Sequence, residues 1–500
     1  MIKKISAVIL ALVLFLVPMI NVYAQTEPKQ KYPVVEVPGF MSREIIADKN
    51  DKDSKVVWPP AAEDILGCVG KITPFLVKFC ADRDWDYFTN HAFPYAGELL
   101  APACCDFNGE VTNGSGVWFE YPAAETVNAN GSYTFYYDWR VDPLVTAAQL
   151  NDFIDYILKY SGSEKVSLIA HSMGGVITLS YLTVYGDSKI DGVCFLLTAI
   201  YGEAYNGQLM QGKISLDGDC ITEFMRGTFS DNEYSYLLAG LFDLLNQLGI
   251  LDLVCDCGNY VLDKSLDVAA REAVLPLFAN WTTIWAMIPD ENVEAAKEYV
   301  FNNIYKDVDR SEIISKIDRY NTVVRAHKEE TLKKLNRDAK VIVISGYGFT
   351  PIPIVPEWKV LSDTNIDTKN TSFGAVTAAY GETLGDEYLA KADPKYISPE
   401  KNIDASACLF PEQTWFVENM KHTSRTGSVD EMIYTLLFSE EQPTVDTYSQ
   451  YPRYLTYSGQ ADTLVPHTTA KTAPTVIEKI IYAVKDLVKL FKSLFENIGK

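Results

Sequence analysis

The 500-residue chain is short of positive charge: 44 lysines and arginines stand against 66 aspartates and glutamates, a formal net charge of −22. Nucleic-acid binding needs a concentrated basic face to meet the phosphates, and no such face is present, which argues against that class of partner. Past the first 24 residues, no apolar run approaches the ~20 residues of a membrane span. Histidine is scarce. The five present are His91, His171, His327, His422 and His467, so any general base comes from a short roster. The cysteines lack the pattern that zinc needs, because Cys255-Asp256-Cys257 has neither a second pair nor nearby histidines. No metal or other cofactor is expected.

What the N-terminus does contain is Met1-Ile2-Lys3-Lys4, an apolar run from Ala7 to Ile20, and Val22-Tyr23-Ala24. A basic start, a short apolar middle and an A-x-A-like end predict a signal peptide over residues 1–24 and a secreted, extracellular protein. No cysteine stands at the cleavage point to carry a lipid anchor. The nine cysteines are odd in number, so at least one is free or externally paired if the rest are oxidised. Cys68 and Cys80 would close a short loop and are a candidate disulfide.

The most informative stretch is Lys165-Val166-Ser167-Leu168-Ile169-Ala170-His171-Ser172-Met173-Gly174-Gly175. A buried-strand run ends in small residues around one serine, and an apolar pattern at helical spacing (Val176, Ile177, Leu179, Tyr181, Leu182) follows at once. This is a nucleophile elbow. The positions two before and two after the serine must be small, here Ala170 and Gly174, because the turn is tight. The helix that follows aims N–H groups and partial positive charge at a developing oxyanion.

Around the elbow, Val34 to Val37 reads as a strand running into Pro38-Gly39-Phe40, the place for a second oxyanion donor. Tyr133 to Arg140 reads as another strand, Ala147 to Tyr160 as a helix, and Gly192 to Thr198 as a strand. The pattern predicts an α/β fold with a doubly wound, mostly parallel sheet. Its first part spans residues 25–201, with an irregular excursion over about 43–105. Residues 202–336 lose the strand rhythm and read as an inserted helical cap. Val341 to Gly346 then resumes the sheet, whose second part spans 337–474. A cap inserted there covers the carboxyl ends of the strands, and an apolar cap suits a substrate with long hydrocarbon parts. Residues 475–500 form an amphipathic helix with lysines on its polar faces, suited either to docking on the protein's own surface or to membrane-surface contact at a lipid interface.

In α/β hydrolases the triad runs serine, acid, histidine along the chain, which removes His91 and His171. His327 lies in a charged helical stretch. His422 follows Trp415 to Lys421 and precedes a helical run, the setting of a loop-borne base; its acid would be Asp386, ahead of Asp393 and Asp404. The rival is the Gly459-Gln460-Ala461-Asp462 loop, but His467 is too close to Asp462, with Pro466 between them, for the two to serve as separate acid and base. Asp386 with His422 is preferred, and Asp462 with His422 is the alternative.

These motifs, with Tyr137-Asp138-Trp139-Arg140 and Tyr347-Gly348-Phe349-Thr350-Pro351, resemble the lecithin:cholesterol acyltransferase and lysosomal phospholipase A2 family of α/β hydrolases over most of residues 33–440. Residue by residue, the resemblance implies Ser172 as nucleophile, Asp386 as acid, His422 as base, and the Phe40 and Met173 N–H groups as oxyanion hole. It also implies a lid around Cys68 and Cys80. Ala170 replaces the family's usual glycine, and Tyr388-Leu389-Ala390 replaces Thr-Val-Pro after the acid. The expected function is a serine-dependent lipase, phospholipase A or O-acyltransferase acting on lipid esters. A small-substrate esterase or thioesterase and a non-catalytic lipid-binding protein are the alternatives.

Overall fold

The computed structural model describes residues 30–230, 234–269, 271, 275–468 and 476–498, so the expected signal peptide lies outside the described residues. Alternation along the strands explains how the sheet is buried. In Val166–His171 the side chains of Val166, Leu168 and Ala170 join one core and Ile169 joins another; Val341 and Val343 part in the same way from Ile342 and Ile344. A parallel strand covered on both faces has no polar side to show, so its sequence is continuously apolar.

The sheet comprises β1 (Val34–Val37), β2 (Ser132–Thr134), β3 (Val166–His171), β4 (Ile190–Leu196), β5 (Lys340–Tyr347), β6 (Thr414–Glu418), β7 (Tyr454–Ser458) and β8 (Thr463–Pro466). Their spatial order is β8-β7-β6-β5-β4-β3-β1-β2. Every neighbouring pair is parallel except the β7–β8 hairpin at one edge. The doubly wound, mostly parallel sheet expected from the sequence is the one observed. One strand is shorter than expected: β2 stops at Thr134, and the chain then turns so that Arg140, fully buried, grips Asp138 through Nε (2.9 Å) and Nη2 (2.6 Å).

The excursion after β1 is not irregular. It holds the packed helices α1 (Ala62–Asp82) and α2 (Trp85–Leu100). Gly67, Gly70 and Pro74 in α1 and Pro94 in α2 hide them from a propensity reading. This placement also corrects the Cys68–Cys80 pairing. Twelve residues apart on one helix, they are separated by roughly 18 Å of helical rise, far beyond disulfide reach; both are free thiols.

Helix α3 (Pro143–Ser161) starts cleanly because Asp142 accepts from the Leu144 N–H (2.8 Å) with Pro143 in the first turn, and it buries Leu150, Phe153, Ile154 and Ile157 against the sheet. Helix α4 (Gly174–Tyr185) packs beside it. Between β4 and β5 the chain is helical, including α5 (Gly218–Thr228), α6 (Ser235–Gln247) and α7 (Ile250–Ala269). This stretch is not uniform. Trp281, Ile284, Met287, Leu332 and Leu335 belong to the sheet's own core, whereas α6 and α7 leave Leu241, Leu244, Leu253 and Val254 exposed.

Helix α8 (Gly427–Leu437) covers the opposite sheet face with Val429, Met432, Ile433 and Leu436. The terminal helix α9 (Val476–Ile498) docks on α6: Asp486 caps that helix by accepting from Tyr236 N–H (3.0 Å) and Leu237 N–H (3.3 Å), and the Tyr236 and Tyr482 rings lie 4.7 Å apart. Ile480, Ile481, Val484 and Val488 of the docked helix still face solvent.

Candidate active site

Ser172 sits between β3 and α4 with φ of 56°, in the left-handed region that costs a side chain of this kind about 1–2 kcal/mol. The surroundings hold it there. Its N–H donates to Leu196 C=O (3.2 Å), and its C=O accepts from Gly175 (3.0 Å) and Ala199 (3.1 Å). A Cβ on Gly174 would lie 1.9 Å from the Val37 carbonyl oxygen, so the position two after the serine admits glycine alone.

The serine Oγ–H donates to His422 Nε2 at 2.8 Å, and His422 Nδ1–H donates to Asp363 Oδ2 at 2.8 Å. The His422 N–H also donates to the Asp363 C=O at 2.6 Å, so acid and base are joined by backbone as well as side chain. Asp363 is fully buried, and its second oxygen accepts from the N–H groups of Asn365 (2.9 Å) and Ile366 (2.7 Å). Burial pulls the His422 imidazolium down; the Asp363 carboxylate, with Glu203 behind it, outweighs that and holds His422 above its ordinary value. A serine, an oriented imidazole and a buried carboxylate in this relay are the parts of nucleophilic acyl chemistry.

The structure brings together Ser172 and His422 but not Asp386. That residue is exposed at the head of a short helix, Asp386–Leu389, on an excursion carrying the two-stranded Val376–Thr377/Ile403–Asp404 sheet. The sheet shows why. The strand after β5 is β6, which leads into His422, so the acid belongs to the loop leaving β5, where Asp363 lies. Asp462, the alternative, accepts from Thr426 Oγ1 (2.6 Å), Ser428 N–H (3.2 Å) and Ser428 Oγ (2.8 Å) at the start of α8. Asp393 and Asp404 cap short 3-10 turns. His467 lies among Glu400, Thr456 and Glu418.

Phe40 lies in the Gly39–Ser42 turn, closed by Ser42 N–H to Gly39 C=O (3.3 Å), and Met173 begins α4. The turn abuts the nucleophile: a Cβ on Gly39 would come within 2.7 Å of Ser172 Cβ. The Tyr-Asp-Trp-Arg motif supports this turn, with Trp139 edge-on to Phe40 at 4.6 Å and donating Nε1–H to Arg43 C=O (3.2 Å). Trp281, at 5.0 Å from Trp139 and 5.9 Å from Phe40, closes the aromatic cluster.

Two further groups were not singled out in the sequence for the site. His171 Nε2–H donates to the His422 C=O (3.0 Å), and burial, followed by the nearby His422 charge, drives its pKa down to about 3. His171 is therefore neutral near pH 7 and acts as a strut under the base loop. Glu203, buried, is pushed up to about 7 by burial, and when ionised its charge favours the His422 imidazolium. The sign follows: removing Glu203 lowers the His422 pKa, and the free imidazole needed as base then persists to lower pH. The Glu203→Gln variant is expected to shift the acidic limb of the kcat/KM profile to lower pH; a limb that stays in place contradicts this coupling.

Residues 109–212, which include the elbow, match the family model described as alpha/beta hydrolase fold. No curated protein matches the chain. Sheet, elbow and relay thus have the arrangement of the alpha/beta hydrolase fold, the fold that the matched model describes.

Proposed function

We propose that the protein is an exported serine acyl hydrolase or O-acyltransferase that acts on lipid esters at a membrane surface. His422, oriented by Asp363, takes the proton of Ser172 as Oγ attacks the ester carbonyl. The Phe40 and Met173 N–H groups stabilise the tetrahedral oxyanion, and loss of one donor of this kind costs ~10²-fold or more in rate. His422 then protonates the departing alcohol, leaving acyl-Ser172. Water or an acceptor alcohol, activated by the same imidazole, releases the acyl group. The resemblance to the lecithin:cholesterol acyltransferase and lysosomal phospholipase A2 family favours a phospholipid or related acyl donor.

The observation that carries the lipid reading is the contrast between a buried relay and the apolar exterior of one set of packed helices. Helix α1 packs on α2, α2 on α7, α7 on α6 and α6 on α9. Among these, α1 exposes Leu66 and Val77, α7 exposes Leu253 and Val254, α6 exposes Leu244, and α9 exposes Ile480 and Val484. Exposed apolar groups on neighbouring helices are more than a solvated monomer needs. Lys479, Lys485 and Lys489 on α9 supply positive charge where an anionic headgroup layer would meet an otherwise acidic protein. No single described helix is long and apolar enough to cross a membrane; α6 with Ile250–Tyr260 reaches that threshold only as a pair bent by 68°.

The test is incubation with phospholipid vesicles, with and without a long-chain acceptor alcohol, followed by product identification. Free fatty acid with lysophospholipid, or a new alkyl ester, is the expected product; turnover confined to short soluble esters contradicts the lipid reading. Deletion from Thr475 onward is expected to weaken vesicle binding about 10-fold. Unchanged binding with a lower Tm would mean that α9 serves docking alone.

A further inference from the structure

The loop that carries His422 has a second attachment beyond the triad. Three residues past the base, Arg425 reaches β1. Its Nη1–H donates to Glu36 Oε2 (2.9 Å) and its Nη2–H to Glu36 Oε1 (3.0 Å), a two-pronged pair between residues 389 apart in sequence. Its Nε–H donates to Asp430 Oδ1 (2.6 Å) in the first turn of α8. All three guanidinium nitrogens are therefore bonded, in a pair that is only partly exposed.

The position of Glu36 gives this pair its meaning. Glu36 is the third residue of β1, one before Val37, and the strand runs straight into the Pro38-Gly39-Phe40 oxyanion turn. β1 and β3 are parallel and in register, Glu36 opposite Ile169 and Val37 opposite Ala170, which fixes that turn against the elbow. The base loop has no such strand beside it. β6, which feeds it, lies four positions from β1 in the sheet, roughly 19 Å at the usual strand spacing. The His422 N–H to Asp363 C=O bond and the His171 Nε2–H to His422 C=O bond hold the loop at the base. Arg425 holds its far side.

A partly exposed ion pair stabilises a fold little. A guanidinium fork does something else: it fixes distance and direction together, which a lysine ammonium does not. Both ends of this fork are themselves ordered. Ser132 Oγ–H donates to Glu36 Oε1 (3.2 Å), Tyr434 of α8 reaches the same oxygen (3.5 Å), and Asp430 steadies the guanidinium from the other side. A misplacement of about 1 Å in a reacting group can cost ~10²-fold in rate, so a rigid link between base loop and oxyanion strand bears on the chemistry.

We propose that Arg425 is a positioning residue for acyl transfer: its fork on Glu36 sets the base loop against the strand that delivers the Phe40 oxyanion donor. The inference rests on the reading of Ser172 as the acylated nucleophile. In that reaction the Ser172 proton passes to His422 Nε2 as the substrate oxygen turns toward the Phe40 and Met173 N–H groups, so base and oxyanion hole must serve one tetrahedral centre. Arg425 touches neither the substrate nor the reacting atoms. It acts through the loop on one side and through β1 on the other. No local motif marks Arg425 or Glu36; the sheet order alone brings them together.

The test is the rate at which an alkyl fluorophosphonate labels Ser172 in the full chain, a readout that does not depend on which ester is cleaved. Glu36→Gln keeps an acceptor for Ser132 and one prong of the fork but turns an N–H₂ toward the other; Arg425→Met removes the fork. Each is expected to slow labelling about 10-fold or more, and the double variant to be no slower than the slower single, because both remove one contact. If Arg425→Met does not fold, Arg425→Lys, which keeps the charge without the fork, takes its place. The control is Glu412→Gln, which loosens a comparable pair with Arg453 Nη2 (3.1 Å) where β6 and β7 begin, at the opposite end of the strands from Ser172. It is expected to label within twofold of the parent whatever its Tm. Single variants within twofold of the parent, effects that multiply in the double, or equal slowing in Glu412→Gln each overturn the positioning role. A parent that is not labelled at Ser172 overturns the nucleophile reading and this inference with it.

Discussion

Ser172→Ala is expected to lose about 10⁴-fold or more of the ester-cleaving activity while keeping its fold, because only the attacking oxygen is removed. Ser172 Oγ makes one hydrogen bond, to His422. The backbone bonds that hold the elbow, to Leu196, Gly175 and Ala199, are independent of the side chain. Alanine also accommodates the buried space, so circular dichroism and Tm should match the parent protein. Activity within a few-fold of the parent would remove Ser172 from the chemistry and with it the hydrolase mechanism.

Asp363→Asn is expected to cost about 10⁴-fold in kcat, with little change in substrate binding. The second carboxylate oxygen accepts from Asn365 and Ile366 N–H groups, and the asparagine carbonyl can keep that position. The amide N–H₂ then faces His422 Nδ1, where Asp363 now accepts a hydrogen bond at 2.8 Å. To meet a donor there, the imidazole must adopt the tautomer with its proton on Nε2, which can no longer accept from Ser172. Asp386→Asn should leave the rate unchanged within about twofold, since Asp386 is exposed and bonded to neither member of the relay. Asp462→Asn should weaken the start of α8 without touching kcat, because its carboxylate serves Thr426 and Ser428.

The contrast between Asp363 and Asp386 shows what the sequence made legible. The elbow, its flanking strand and helix, and the α/β alternation depend on local spacing: small residues around a serine, short continuous apolar runs for strands, and apolar residues at helical spacing. Ser172 and His422 could be named because the first has a local motif and the second was reached by elimination among five histidines. The acid has neither. Asp363 lies 16 residues beyond the end of β5, in Ser362-Asp363-Thr364-Asn365, and only its Asx-type turn, accepting from Asn365 and Ile366, marks it locally. Its selection depends on which strand lies next to which. The small β-sheet excursion from Val376 to Asp404 separates β5 from β6 by a long stretch of chain and offered Asp386 as a decoy.

The same division applies elsewhere. α1 and α2 were missed because glycine and proline inside them obscure helical spacing, and the packing of α1 on α2 and of α2 on α7 offsets that local cost. The terminal helix was visible from its pattern, but its attachment was not. Asp486 looks like one more charge on a polar face, whereas it caps the start of α6 from 250 residues away in sequence. His171 was set aside by the serine, acid, histidine order of the triad, and only the fold shows it bracing the loop that carries His422.

The central claim is that Ser172, activated by His422 and Asp363, becomes covalently acylated. It is tested most directly by reacting the protein with a fluorophosphonate bearing a long alkyl chain and mapping the adduct by peptide mass spectrometry. The account predicts one phosphonate per chain on Ser172, with labelling slowed by orders of magnitude in His422→Ala and in Asp363→Asn. Labelling of a different serine, or labelling of Ser172 at the same rate in both variants, would contradict it.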